Sequence, residues 1–176
     1  MFATSLLPVD QETTKDNQTN KMSSVSKTIK YNPETDKLIS VAAGCFWGTE
    51  HMYRKYLGDK IIDCKVGFAN GNETSKDSGD SVSYKRVCKG DTNFAEVLQI
   101  SYNPTTLTLK EIIDLFFRIH DPTTLNAQGP DQGTQYRSGI YTHSTEDFNE
   151  VEKLKQQWQP KWGNKILTEV HAIENY

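Results

Sequence analysis

Val41-Ala42-Ala43-Gly44-Cys45-Phe46-Trp47-Gly48 is the stretch on which the fold turns. Small residues close a strand that begins at Lys37, Gly44 permits a sharp turn, and an amphipathic run from Phe46 to about Leu57 follows, with Cys45 at its first turn. A strand running straight into a helix opens a βα unit. It also sets a thiol at the positive end of that helix, where unpaired backbone N–H groups and the macrodipole favour a thiolate. Most cysteines are simply small buried hydrophobes. Here two bulky aromatics follow the thiol directly, and Gly44 and Gly48 leave room for a ligand to approach it.

Working outward, Thr28-Ile29-Lys30-Tyr31 reads as a short strand before the turn signal Asn32-Pro33. Residues 1 to about 26 are rich in Thr, Asn, Gln, Ser and Lys and hold few large apolar side chains, which predicts a disordered tail ahead of a folded domain over 27–176. Downstream, Gly58-Asp59 ends the helix. Ile61 to Phe68 reads as a strand that carries Cys64 on one face, most simply as a packed residue. Residues 69 to about 92 show no period, and a loop of that length inside a compact domain is either disordered or functional. The run from Phe94 to Tyr102 then alternates, placing Phe94, Glu96, Leu98, Ile100 and Tyr102 on one face.

Thr108-Leu109-Lys110-Glu111 is a capping-box signature, and Leu109, Ile112, Ile113, Phe116 and Phe117 follow at helical spacing as a core stripe. Asp121-Pro122 stops this helix, with His120 as its C-terminal cap. A second irregular stretch covers residues 121–137. Ser138 to His143 is a short strand, Ser144 starts a helix carrying Phe148, Val151, Leu154 and Trp158, and Lys165 to His171 makes a last strand. The order strand, helix, strand, strand, helix, strand, with one more helix and strand appended, predicts an α+β fold. It is a two-layer, ferredoxin-like split βαβ sheet with helices on one side.

The chain has 176 residues and a formal charge of −3, enough for one sizeable core. Its lysines are scattered, so no surface for nucleic acid or an anionic membrane is expected. No transmembrane run or secretory signal stands out, which points to a cytoplasmic protein, and a monomer is expected. Three widely spaced cysteines make neither a disulfide framework nor a metal site.

The chemistry gathers around Cys45. A carboxyl at Glu96, on the apolar face of its strand, resists ionisation and can act as a proton donor near neutral pH; a buried ion pair or an exposed sheet edge would explain it equally. The long loops supply Tyr84, Cys88, Asp131 and Tyr136. Phe46 and Trp47 offer an apolar wall, suited to a small uncharged group bearing a polar oxygen. Four histidines leave a cysteine-dependent acyl-transfer enzyme open as an alternative.

Gly44-Cys45-Phe46-Trp47-Gly48 with Glu50 resembles the signature of the A-type peptide-methionine sulfoxide reductases. Further matches follow in that family's order. They are Val66-Gly67-Phe68-Ala69-Asn70-Gly71, Ser83 to Cys88, Gly90 to Glu96, His120 to Thr124, and Gln128 to Ser138. The resemblance implies thiol-dependent reduction of the S epimer of methionine sulfoxide, free or in proteins, through a cysteine sulfenic acid. Cys45 would be the nucleophile, Phe46 and Trp47 would hold the ε-methyl group, and Glu96, Tyr84 and Tyr136 would bind and protonate the sulfoxide oxygen. Asp131 would help hold the substrate. No metal or organic cofactor is implied, the electrons coming from thioredoxin or small thiols. Family members usually continue past the position of Tyr176 through a glycine-rich tail with resolving cysteines. This sequence stops at Tyr176, which leaves three explanations: a truncated sequence, the one favoured; a one-cysteine variant recycled by external thiols; or recruitment of Cys88, the better internal candidate, or Cys64 as resolver. A truncated chain that binds oxidised methionine without turnover is the alternative function. Phe68 replaces a tyrosine common in the family, expected to be a packing change only.

Overall fold

The computed structural model describes residues 23–71, 84–88 and 92–176; the greater part of the segment read as a tail, and much of the 69–92 loop, lie outside the described residues. Strand β1 (Lys37–Ala43) runs into helix α1 (Phe46–Leu57), and β2 (Ile61–Ala69) returns along the sheet. A four-residue helix, α2 (Tyr84–Val87), lies in the first long loop before β3 (Ala95–Tyr102). Helix α3 (Leu109–Ile119) leads into the second long loop, where β4 (Ala127–Gln128) and β5 (Asp131–Gln132) pair as a small ribbon. Strand β6 (Ser138–Thr142), helix α4 (Thr145–Trp158) and strand β7 (Glu169–Ala172) complete the chain.

The five-stranded sheet has the order β2-β3-β1-β6-β7, antiparallel except for the parallel pair β6 and β7. Its first four strands follow the split βαβ order, and the α4 crossover that a parallel pair needs adds the fifth. On the helical face Ile39, Val41, Leu98, Ile100 and Ile140 pack against the α3 stripe of Ile112, Ile113, Phe116 and Phe117, all fully buried. Burying each such side chain stabilises the fold by roughly 1.5–3 kcal/mol. The Thr108 capping box forms as expected, with the Thr108 side chain accepting from the Glu111 N–H and Glu111 accepting from the Thr108 N–H. Among the described residues no helix is long and apolar enough to cross a membrane.

The other face of the sheet explains two departures from the sequence reading. Residues 28–31 form no strand, because the β1 and β3 edges are already paired. They cross the face instead, burying Ile29, with the Lys30 N–H donating to Asp63 and the Lys30 carbonyl accepting from Ser101. Ser23–Ser26, assigned by composition to the tail, also lie on the sheet, where the Gln99 amide bonds the Ser24 carbonyl and the Ser26 N–H. The last strand is shorter than expected. The Gln159 side chain bonds both backbone groups of Ile166, and the Leu167 N–H donates to Pro122, so pairing starts only at Glu169.

Candidate active site

Gly44 has φ +88, a conformation that glycine adopts readily and other residues rarely. A Cβ there would also lie 2.7 Å from Cγ of Gln128. This turn sets Cys45, half-exposed, as the N-cap residue of α1, just outside the helix proper. The Cys45 side chain caps nothing. Its carbonyl accepts from the Thr49 N–H and hydroxyl.

The next backbone N–H, that of Phe46, is one of the donors a helix start leaves unpaired, and Oε1 of Glu96 accepts it at 3.2 Å. Strand alternation thus brings the Glu96 carboxyl to the residue beside the thiol. Glu96 is 1% exposed, and burial pushes its pKa from 4.5 up to about 6, against the lowering effect of the Phe46 N–H and with a further upward push from Asp131. Its second oxygen, Oε2, is buried without a hydrogen-bond partner among the described residues. Such an oxygen is suited to carry a proton that a ligand can accept.

Phe46 is buried with its ring 5.3 Å from that of Trp47, which is 59% exposed. Tyr84 stacks on Trp47 at 5.7 Å, and Phe68 lies 5.5 Å from Phe46. Four rings from three elements therefore line one apolar wall. Phe68 belongs to it by packing on Phe46, in keeping with the packing role expected of it. The signal was present, since period 2 along β2 puts Phe68 on the face of Cys64 and Val66.

The Tyr84 hydroxyl stands beside Cys88 and Tyr136, and its interaction with Cys88 is the largest cause that raises its pKa, against a lowering from Tyr136. Tyr136 ends the short 3-10 helix Thr134–Tyr136; burial, then the charge of Glu96, holds its hydroxyl far above the ordinary value. Both phenols remain neutral donors. Asp131, on β5, is half-buried and acts on Glu96 through its charge. The structure thus gathers Cys45, Phe46, Trp47, Glu96, Tyr84, Tyr136 and Asp131 at one end of the sheet, with Cys88 exposed at the rim on the Tyr84 hydroxyl. Cys64 is packed in the core. His120 caps α3, its ring bonded to the Phe116 carbonyl and the Ser138 hydroxyl. A cavity of about 500 Å³ lined by Lys37, Tyr102 and Asp147 sits at the opposite end of the strands and takes no part.

A sulfur at a helix start, a buried carboxyl whose proton is held up to about pH 6, two neutral phenols and an apolar wall can together bind a small group with a polar oxygen, protonate that oxygen and attack the atom bearing it. The comparisons with known proteins agree. The family described as peptide methionine sulfoxide reductase matches residues 37–176. A peptide methionine sulfoxide reductase from Saccharomyces cerevisiae is 68% identical over 152 residues, covering 86% of this chain and 83% of the relative. The crystal structure of Mxr1 from Saccharomyces cerevisiae in reduced form superposes with a TM-score of 0.85 at 69% identity, over 87% of this chain and 84% of that one. Mxr1 in complex with Trx2 superposes with a TM-score of 0.67 at 52% identity, over 87% of each chain.

Proposed function

The chain belongs to the peptide methionine sulfoxide reductase family, the A type, and on that premise we propose how its residues divide the work of returning methionine sulfoxide to methionine. The substrate is the S epimer, free or in a protein. Its ε-methyl group rests on Phe46 and Trp47, with Phe68 and Tyr84 completing the wall. Glu96, Tyr84 and Tyr136 hydrogen-bond the sulfoxide oxygen, and Asp131 keeps the Glu96 proton in place and helps hold the substrate. The Cys45 thiolate attacks the sulfoxide sulfur as Glu96 gives its proton to the oxygen, forming a Sγ–S bond in an adduct whose substrate sulfur bears the hydroxyl. The hydroxyl then passes to Sγ as the Sγ–S bond breaks and its electron pair stays on the methionine sulfur. The S–O bond to the substrate breaks, methionine leaves reduced by two electrons, and Cys45 is oxidised to a sulfenic acid that carries the oxygen and the proton.

One observation carries this reading: the buried Glu96 carboxyl, pushed up to about 6, is hydrogen-bonded to the residue next to Cys45. Recycling follows from the free thiols. Attack by the Cys88 thiol on the sulfenic sulfur expels water and forms a disulfide, provided the two Cα atoms come within about 7 Å. Thioredoxin or a small thiol then reduces it. The Mxr1 complex with Trx2 supports thioredoxin in that role, and the odd number of free thiols fits a cytoplasmic place of work. Residues 27–176 act as the catalytic domain.

The test measures methionine released per enzyme in a single turnover, beside steady-state turnover with thioredoxin or dithiothreitol. Cys45→Ser should abolish release. Cys88→Ser should leave the first turnover intact and slow the thioredoxin-driven rate. Undiminished thioredoxin turnover in Cys88→Ser would remove Cys88 from the cycle. Wild-type protein that holds the sulfoxide yet releases no methionine would make the chain a binder, and Cys45-dependent cleavage of an ester or amide would make it an acyl-transfer enzyme.

A further inference from the structure

We propose that Arg137 is a positioning residue for this site, fastening into one body the three backbone segments next to Phe68, Glu96 and Tyr136, an inference that rests on the roles given above to those side chains. Arg137 follows Tyr136 directly and is 9% exposed. Its Nη1 donates to the Asn93 carbonyl at 3.0 Å and to the Thr134 carbonyl at 2.9 Å, and its Nη2 to the Asn70 carbonyl at 3.3 Å. Each acceptor stands two or three residues from a side chain of the site: Asn70 from Phe68, Asn93 from Glu96, Thr134 from Tyr136.

Two of these acceptors have unusual backbones. Asn70 has φ 51 and Asn93 has φ 55, left-handed conformations that persist where the surroundings determine them. Both offer their carbonyls to the guanidinium. The fourth edge of the arginine, Nε, donates to Glu169 on β7, and the Tyr141 hydroxyl donates to the same carboxylate oxygen. Burial pushes the Glu169 carboxyl up, and its hydrogen bonds from Tyr141 and Arg137 more than reverse that, so it stays an anion. The strand appended to the split βαβ unit thereby supplies the counter-charge for an arginine that faces those three segments.

A lysine keeps the charge but, as a compact ammonium, cannot span three carbonyls and a carboxylate from one planar fork. The experiment is single-turnover methionine release against pH, per Cys45 thiol titrated, with KM for a methionine sulfoxide peptide and the melting temperature alongside. Arg137→Lys should lose on the order of 10- to 100-fold in rate, the penalty for displacing reacting groups by about an ångström, with KM changed much less. The limb that reports Glu96 should also move to lower pH as water reaches its loosened carboxyl. Tyr141→Phe removes a hydrogen bond behind the arginine without touching a loop carbonyl. It should lower the melting temperature and leave the rate and the limb alone. Glu169→Gln keeps the guanidinium but removes its anion. A smaller rate loss with the same displaced limb is expected, and this variant carries the test if Arg137→Lys does not fold. An unmoved limb and a rate within twofold of wild type, in whichever variant folds, overturn the positioning role, as does a rate loss in Tyr141→Phe in proportion to its lost stability. Cys45→Ser run in parallel separates the levels. Turnover surviving there defeats the site itself, whereas turnover lost there with Arg137→Lys unaffected defeats only the positioning.

Discussion

Replacing Glu96 by glutamine should make the protein more stable and far less active, and the two effects should respond differently to pH. In the fold the Glu96 carboxyl is pushed from 4.5 up to about 6, chiefly by burial. The proton is therefore held more tightly folded than unfolded. Its favourable contribution is complete below about 4.5 and is lost as the pH rises through about 6. At about 1.36 kcal/mol for each pKa unit, the folded state above pH 7 carries a cost of about 2 kcal/mol for the buried carboxylate. Glutamine keeps an oxygen to accept the Phe46 N–H and never ionises. Glu96→Gln should thus match wild type near pH 4 and exceed it by about 2 kcal/mol near pH 8, equivalent to about 4–8 °C in melting temperature for a chain of this size. Activity runs the other way. Loss of a positioned general acid should cost at least about 100-fold in the single-turnover rate and leave it flat with pH where wild type declines above about 6. Urea unfolding at several pH values and rapid-quench methionine release read the two. A stability gain as large at pH 4 as at pH 8 would refute the burial argument, and a rate within tenfold of wild type would refute the acid.

Trp47→Ala should raise KM for a methionine sulfoxide peptide roughly tenfold with little change in melting temperature, because the ring is 59% exposed and surface substitutions seldom exceed about 0.5 kcal/mol; steady-state kinetics and thermal melts decide it. Gly44→Ala should destabilise by at least about 2 kcal/mol in denaturant unfolding and displace Cys45, since the new Cβ meets Gln128 at 2.7 Å on a backbone of φ +88. His120 is pulled down from 6.5 to about 4 by burial, so its share of stability is complete above about 6.5 and is lost as pH falls through about 4. His120→Asn, which does not titrate, should lower stability at pH 7 and flatten part of the decline between those limits, by up to about 3 kcal/mol. A parallel decline in both proteins would show that His120 is not the group responsible.

The strand and helix alternation was legible because each element announces its own period and ends. Gly44 closes β1, Thr108 and Glu111 cap α3, and Ser144 accepts the Asp147 N–H to start α4. Glu96 was legible for the same reason, period 2 putting it on the face of Leu98 and Ile100 that meets α1. What failed depends on partners that local sequence does not name. Thr28-Ile29-Lys30-Tyr31 has strand composition but finds no free edge, and Lys165–Thr168 is held off β6 by the side chain of Gln159 and the carbonyl of Pro122. Arg137 was invisible as a buried residue, since nothing in Tyr136-Arg137-Ser138 tells that three distant carbonyls converge on its guanidinium.

Asn175 is fully buried; its carbonyl accepts the Asn70 N–H, and its side chain bonds both backbone groups of Gly71. Tyr176 lies across Gly67, where any Cβ would strike its ring, and donates its hydroxyl to the Val66 carbonyl. The contacts joining Gly71 to Asn175 span 104 positions, so the turn next to Phe68 acquires its support only when the far end of the chain has docked. Long-range contacts of this kind are the expensive ones to close. A folding intermediate holding β1, α1, β2 and β3 would already display Cys45, yet it would lack the support that Asn175 and Tyr176 give the Phe68 turn. If folding follows that order, the Cys45 thiol is exposed before the turn beside Phe68 gains its support. Pulsed thiol alkylation during refolding would time that exposure against the recovery of activity.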